Sequence, residues 1–211
     1  MRTLYVVTHP EAVHHVEGVV GGWHDSTLTA RGAAAAQAIA AALRSQVPDG
    51  AEVGLWSSDL RRTAQTAEAI GAAFGIRPVL DRRLREKSFG EAEGRPQDWL
   101  HARRTAPPAT GDRMGHTGGV PDLEPDSAVA QRIYAAMDDL VGRPCAHQII
   151  VTHGYALTFV VAAWIRMPPA SLGYAVFKAP SGSITVLAED DFHRSRVLVR
   201  LGDTRHLDAI A

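Results

Sequence analysis

Cysteine is nearly missing from these 211 residues: Cys145 stands alone, so no internal disulfide can staple the chain, which fits a reducing compartment. Charge imbalance is missing too. A net charge of -1 and a pI near 6.8 create no general field for nucleic acid or an anionic membrane, so any anion binding must be local. Long apolar runs are also lacking, since the longest, residues 156–165, is about half the roughly 20 residues that a membrane span needs. Met1-Arg2-Thr3 runs straight into the first apolar stretch, without a charged n-region, an apolar h-region and a cleavage site. These absences predict a cytoplasmic protein that partners neither nucleic acid nor a membrane.

What is present suits one globular domain over residues 1–211: 45% of residues are hydrophobic and 21% charged, enough to bury a sizeable core. Two stretches carry the same short text. Leu4-Tyr5-Val6-Val7-Thr8-His9-Pro10 and Ile149-Ile150-Val151-Thr152-His153-Gly154 are both apolar, β-branched runs that stop at a Thr-His pair. Runs of this kind read as strands buried on both faces of a parallel sheet, whose carboxyl ends open on the ligand crevice of α/β folds. A single histidine at a strand end is more often structural than catalytic, but two in matching contexts point to imidazoles facing one crevice.

The remaining chain alternates. A Gly- and His-rich loop over 10–28 is too long for a plain connection. Thr29 caps a helix to about residue 44, and Pro48-Asp49-Gly50 stops it. A strand over 53–56 ends in Ser57-Ser58-Asp59, and a helix over 60–74 follows, with Ser58 or Asp59 as N-cap and Gly75 closing it. A strand over 78–80 leads into a charged loop over 81–95, and residues 105–125, rich in Pro and Gly, read as an irregular insertion. Then come a helix over 126–141, the second Thr-His strand and a helix over 156–165 broken by Pro168-Pro169. Strands over 174–177, 183–188 and 196–201 close the chain, the last two as an antiparallel hairpin. This pattern predicts a three-layer α/β/α fold with a mostly parallel central sheet.

Phosphoryl transfer needs positive donors on the equatorial oxygens, an in-line nucleophile and an acid for the leaving oxygen. Arg61 and Arg62 fall in the first turn of the helix after Ser57-Ser58-Asp59-Leu60, where free N–H groups already favour an anion and a guanidinium can grip phosphate bidentately. Two arginines on a helix are, by themselves, more often a solvated face.

Together, His9, Gly22-Trp23-His24-Asp25-Ser26, Ser58-x-Leu60-x-Arg62 with Thr66-Ala67, Leu84-x-Glu86 with Phe89-Gly90, and His153-Gly154 resemble the histidine phosphatase (phosphoglycerate mutase-like) superfamily. The resemblance spans nearly the whole chain in the right order, and the tail Gly202-Asp203-Thr204-Arg205-His206-Leu207 is similar to endings in its phosphatase branch. It implies His9 as the nucleophile that becomes phosphohistidine, Arg62 as a phosphate clamp and His153 as a second donor to the phosphoryl oxygens. Glu86 would be the general acid, titrating near neutrality; without the resemblance it reads equally as a salt-bridge partner of Arg83 or Lys87. The implied activity is a cofactor-independent phosphatase acting on a small phosphorylated substrate, with no metal needed.

The opening signature departs from the family's Arg-His-Gly-Glu-Thr followed two residues later by Asn, because this chain reads Thr8-His9-Pro10-Glu11-Ala12-Val13-His14-His15. Loss of one preorganised donor typically costs about 3 to 4 kcal/mol, or roughly 10²- to 10³-fold in rate. Two compensations are expected: a hydroxyl hydrogen bond from Thr8 to phosphate, and an imidazolium on His15, which stands where the family has asparagine. The departures also support an alternative, a nearly inactive member that binds a phosphorylated ligand or partner. A His-rich metal site from His9, His14, His15 and Asp25 is a third reading, although its spacing matches no established ligand pattern.

Overall fold

In the computed structural model, which describes residues 2–208 and 210, the two Thr-His stretches are neighbours. Strand β1 (Arg2–Thr8) and strand β4 (His147–Thr152) run parallel with Thr8 opposite Thr152, so His9 and His153 leave the sheet from the same rung. β2 (Val53–Ser57) pairs with the other side of β4, and the short β3 (Val79–Leu80) pairs with β2, both parallel. Beyond β1, β5 (Ile184–Glu189) is antiparallel and β6 (Arg196–Asp203) pairs antiparallel to it, giving the order β3-β2-β4-β1-β5-β6. The sheet is therefore mostly parallel, as the sequence predicts.

Helices α1 (Val13–Val16), α2 (Ala30–Gln46), α3 (Arg61–Phe74), α4 (Gln97–His101), α5 (Asp126–Val141) and α6 (Ala156–Trp164) accompany it. The strand pleat sorts the apolar runs between two cores. Leu4, Val6 and Ile150 pack with Ile133, Phe159 and Trp164 of α5 and α6, while Tyr5, Val7, Ile149 and Val151 pack with Ile39, Leu43 and Ile70 of α2 and α3. Burying each large apolar side chain contributes about 1.5–3 kcal/mol, which is why β1 and β4 can carry no polar face. The three layers follow from those two apolar faces.

Local signals succeed where the cap is local. Thr29 Oγ1 accepts the Gly32 N–H at 3.0 Å, and Gly75, at φ 68°, closes α3 in the left-handed conformation that glycine tolerates. The expected cap of α3 at Ser58 or Asp59 is corrected. Leu60 is the N-cap, Asp59 is drawn into an ion pair with Arg85 at 2.6 Å, and Asp25, from the distant loop, takes the Arg61 N–H at 2.7 Å. The strand expected over 174–177 is also absent: Thr158 Oγ1 accepts the Phe177 N–H and donates to its carbonyl, each at 3.2 Å, so a side chain supplies what a strand neighbour would.

The one-turn helices α1 and α4 lie inside stretches that the sequence presents as loop. A small third core of Val20, Ala92, Leu100, Val120 and Leu123 ties the 10–28 loop, the charged segment, α4 and the 105–125 stretch together. Residues 105–125 contain no helix or strand, and the Thr105 N–H to Gly118 carbonyl bond at 2.8 Å pins their ends. Among the described residues, no helix is long and apolar enough to cross a membrane.

Candidate active site

His9 leaves the end of β1 with its ring orientation fixed. Nδ1 lies 2.8 Å from the Pro10 carbonyl, which can only accept, so Nδ1 carries the proton and Nε2 keeps its lone pair. The Arg62 Nε–H donates to that nitrogen at 3.2 Å, consistent with the same tautomer. Burial, followed by the Arg62 charge, holds the pKa of His9 well below 6.5, against the raising influence of the Pro10 bond. The ring is therefore neutral at pH 7. Pro10 removes a backbone N–H but supplies the carbonyl that orients the His9 ring.

Arg62 is 1% exposed, in the first turn of α3. Its Nη1 donates to the His24 carbonyl at 2.8 Å and its Nη2 to the Gly22 carbonyl at 2.6 Å. Burial lowers its pKa to about 10, opposed by Glu86, Asp25 and Glu93, so it remains a cation. With one hydrogen each on Nε, Nη1 and Nη2 engaged, two of the five guanidinium hydrogens stay free for an anion. Gly22 is required here: it sits at φ 52°, and a Cβ would lie 2.8 Å from the Glu93 carboxylate.

His153 is fully buried, its ring 5.1 Å from that of His9 in an edge-on arrangement. The shared rung thus brings the two imidazoles together. Nε2 lies 2.9 Å from Ser58 Oγ, while Nδ1 is buried without a partner. Burial first, then the Arg62 charge, lowers its pKa, so this ring is also neutral in the free site.

The Glu86 carboxylate sits at the start of α6. Oε1 accepts the Lys87 and Ala156 N–H groups at 2.9 and 3.0 Å, and Oε2 accepts the Tyr155 N–H at 3.0 Å. Burial raises its pKa above 4.5 although all three bonds oppose the rise. A salt bridge to Arg83 or Lys87 is not what holds it, because Arg83 pairs with Asp81 and Asp139 while Lys87 pairs with Asp126 at 2.7 Å.

Two residues to which the sequence analysis assigns no role of their own hold the Glu86 backbone. Arg132 of α5 donates to the Arg83, Arg85 and Glu86 carbonyls at 2.8, 2.6 and 2.8 Å and pairs with Glu124 at 2.7 Å. Trp23 Nε1 donates to the Glu86 carbonyl at 2.7 Å. No local pattern announces this role of Arg132, since the three carbonyls it holds lie more than 45 residues away along the chain.

Two expected compensations are corrected. Thr8 is 1% exposed, and its hydroxyl donates to the Pro180 carbonyl at 2.7 Å while accepting the Ser183 N–H at 3.1 Å, so it is spent on the β5 side and offers nothing to phosphate. His15 does stack on His9, with ring centroids 5.5 Å apart. Its Nδ1, however, accepts the Ala12 N–H at 3.2 Å, and burial, then Arg62, lowers its pKa. It is a neutral Nε2–H donor in the free site, not an imidazolium. His14, bonded to Ser26 Oγ at 2.6 Å and lowered to about 3 chiefly by burial, is neutral as well. Among the described residues no set of three or more His, Cys, Asp or Glu is arranged to hold a metal, and the Asp25 of that reading caps α3 instead.

Known proteins are similar to this chain over nearly its whole length. The sequence profile of the histidine phosphatase superfamily (branch 1) matches residues 4–204. A probable phosphoglycerate mutase, GpmB, from Yersinia enterocolitica is 31% identical over 210 residues, covering 99% of this chain and 96% of that protein. Among solved structures, Bacillus stearothermophilus YhfR superposes with a TM-score of 0.78 at 25% identity, over 99% of this chain and 100% of that one. A mycobacterial glucosyl-3-phosphoglycerate phosphatase bound to VO3 gives 0.77 at 25% identity, over 97% and 100%. With His9 and His153 on one rung and the family profile matched from residue 4 to residue 204, this chain belongs to the histidine phosphatase superfamily, branch 1.

Proposed function

We propose that the protein is a cofactor-independent phosphatase that hydrolyses a small phosphate monoester through a phosphohistidine on His9. The observation that carries this reading is the His9 tautomer: Nδ1–H is locked onto the Pro10 carbonyl, leaving the Nε2 lone pair at the guanidinium of Arg62. In the first half-reaction, Nε2 attacks phosphorus, the N–P bond forms and the P–O bond to the alcohol breaks. Protonated Glu86 gives its proton to the leaving oxygen, a role its raised pKa supports. In the second, carboxylate Glu86 takes a proton from water as the water oxygen attacks phosphorus and the N–P bond breaks. Arg62, with its free hydrogens, balances the charge on the equatorial oxygens, and His153 approaches the same place from the neighbouring strand.

A second reading, a weakly active or non-catalytic binder of a phosphorylated ligand, is favoured by one observation. Thr8 faces away from the site, so Arg62 is the one guanidinium in contact with His9 among the described residues. Rapid quenching of a reaction with ³²P-labelled ester separates the two. An acid-labile, alkali-stable adduct on the wild type, missing from His9→Ala, supports the enzyme. Binding of ester with no adduct, and phosphate release equal to His9→Ala, would leave only the binder.

A further inference from the structure

Beside the site, on the Glu86 side, lies a cavity of about 410 Å³, a size that suits a small organic molecule. Its inner wall includes Lys87 and Tyr155, the residues whose backbone N–H groups hold the Glu86 carboxylate. A leaving alcohol protonated by Glu86 would therefore project into it. The outer wall is built by the 105–125 stretch and the irregular segment after Pro168-Pro169.

The lining is of two kinds. Phe89, Leu172, Tyr174 and Val176 form an apolar side, and Tyr174 and Val176 are 67% and 52% exposed although the fold gains nothing from exposing them. The charges do not cancel. Lys87 is neutralised by Asp126 at 2.7 Å, which also accepts the Tyr155 hydroxyl at 2.9 Å. Arg113 and Arg104 have no carboxylate in ion-pair reach among the described residues. Arg113 donates only to the neutral Gly173 and Pro108 carbonyls and lies over the Tyr174 ring at 4.8 Å. Arg104 is an exposed residue of the same lining.

From this juxtaposition of an apolar aromatic wall with two uncompensated guanidiniums, we infer that the leaving alcohol of the substrate carries a flat apolar body ending in a carboxylate. The inference rests on the proposed phosphatase reading for the direction of the alcohol. A short polar phosphoglycerate-like alcohol would leave the wall of Phe89 and Tyr174 in contact with water, and an uncharged aromatic would leave both arginines without a counter-ion.

The test compares esters of matched leaving-group chemistry: 4-carboxybenzyl phosphate, benzyl phosphate and glycerol 3-phosphate. The expected order of kcat/KM is carboxybenzyl above benzyl above glycerol, each step at least fivefold. Arg104→Ala is expected to abolish the first step through KM, leaving benzyl phosphate within twofold of wild type. Tyr174→Ala is expected to lower both aromatic esters and spare glycerol 3-phosphate. Calorimetric titration with 4-carboxybenzylphosphonate, which cannot be cleaved, separates the two failures. Tight binding that weakens at least fivefold in Arg104→Ala, with no turnover of any ester, sinks the phosphatase reading and keeps the ligand class. Equal kcat/KM for the three esters, or binding indifferent to Arg104, overturns the inference.

Discussion

Replacing Arg62 by Ala perturbs the proposed nucleophile His9, the proposed phosphate clamp and the 10–28 loop in one step, and the structure sets the expected size of each effect. The guanidinium is 1% exposed and makes three contacts, to His9 Nε2, the His24 carbonyl and the Gly22 carbonyl, at 3.2, 2.8 and 2.6 Å. Because Thr8 supplies no second donor, the whole share of a preorganised cation falls on Arg62. A loss of about 4 kcal/mol in transition-state stabilisation, or roughly 10³-fold in kcat/KM, is expected. Two carbonyls lose their partners, and partial rehydration limits the cost to about 2 kcal/mol of folding stability. The pKa of His9 should rise, because the Arg62 charge is the second cause of its depression, yet stay below 6.5, because burial is the first. Steady-state kinetics, urea unfolding and an NMR titration of the His9 ring measure the three effects. A variant within threefold of wild-type kcat/KM and with an unmoved His9 titration would refute the assigned clamp.

Glu86→Gln should cost roughly 10²- to 10³-fold with an alkyl ester but under tenfold with p-nitrophenyl phosphate, whose leaving group needs no proton; equal losses would remove Glu86 as the acid. The first half-reaction needs the protonated form, so its rate should fall as pH rises through the raised Glu86 pKa, a limb that must vanish from the pH profile of Glu86→Gln. Thr8→Val should lower stability by about 1–3 kcal/mol, since it strips the Ser183 N–H of its acceptor and the Pro180 carbonyl of its donor, while kcat stays within twofold; a large loss of kcat with unchanged stability would return Thr8 to the phosphate site. His9, His14, His15 and His153 all have folded pKa values below the unfolded 6.5, so the unfolded state binds more protons as pH falls. Their contribution to stability is complete above pH 6.5 and declines below it, by up to about 1.4 kcal/mol per pH unit for each ring. Urea midpoints that do not drop between pH 7.5 and 5.5 would contradict the neutral cluster.

The sequence alone determined the parallel core and the two histidines. Short apolar runs rich in β-branched residues read as strands buried on both faces, and the strand's end then carries the imidazole to the crevice. Thr29 and Gly75 were legible for a similar reason: each cap bond closes within a few residues, so the local text contains both partners. Tertiary structure decided everything whose partner is remote. Asp25 displaced Ser58 and Asp59 at the start of α3, Arg132 reached across the fold to the Glu86 backbone, and Thr158 replaced the strand expected after residue 173. Thr8 is the plainest case. Its position beside His9 is written in the chain, but whether its hydroxyl faces the site or β5 depends on which neighbour offers an acceptor, and Pro180 lies 172 residues away. The protonation of His15 was likewise invisible in the text, because charge on an imidazole is set by burial and by the nearest guanidinium, both of which exist only after the chain has folded.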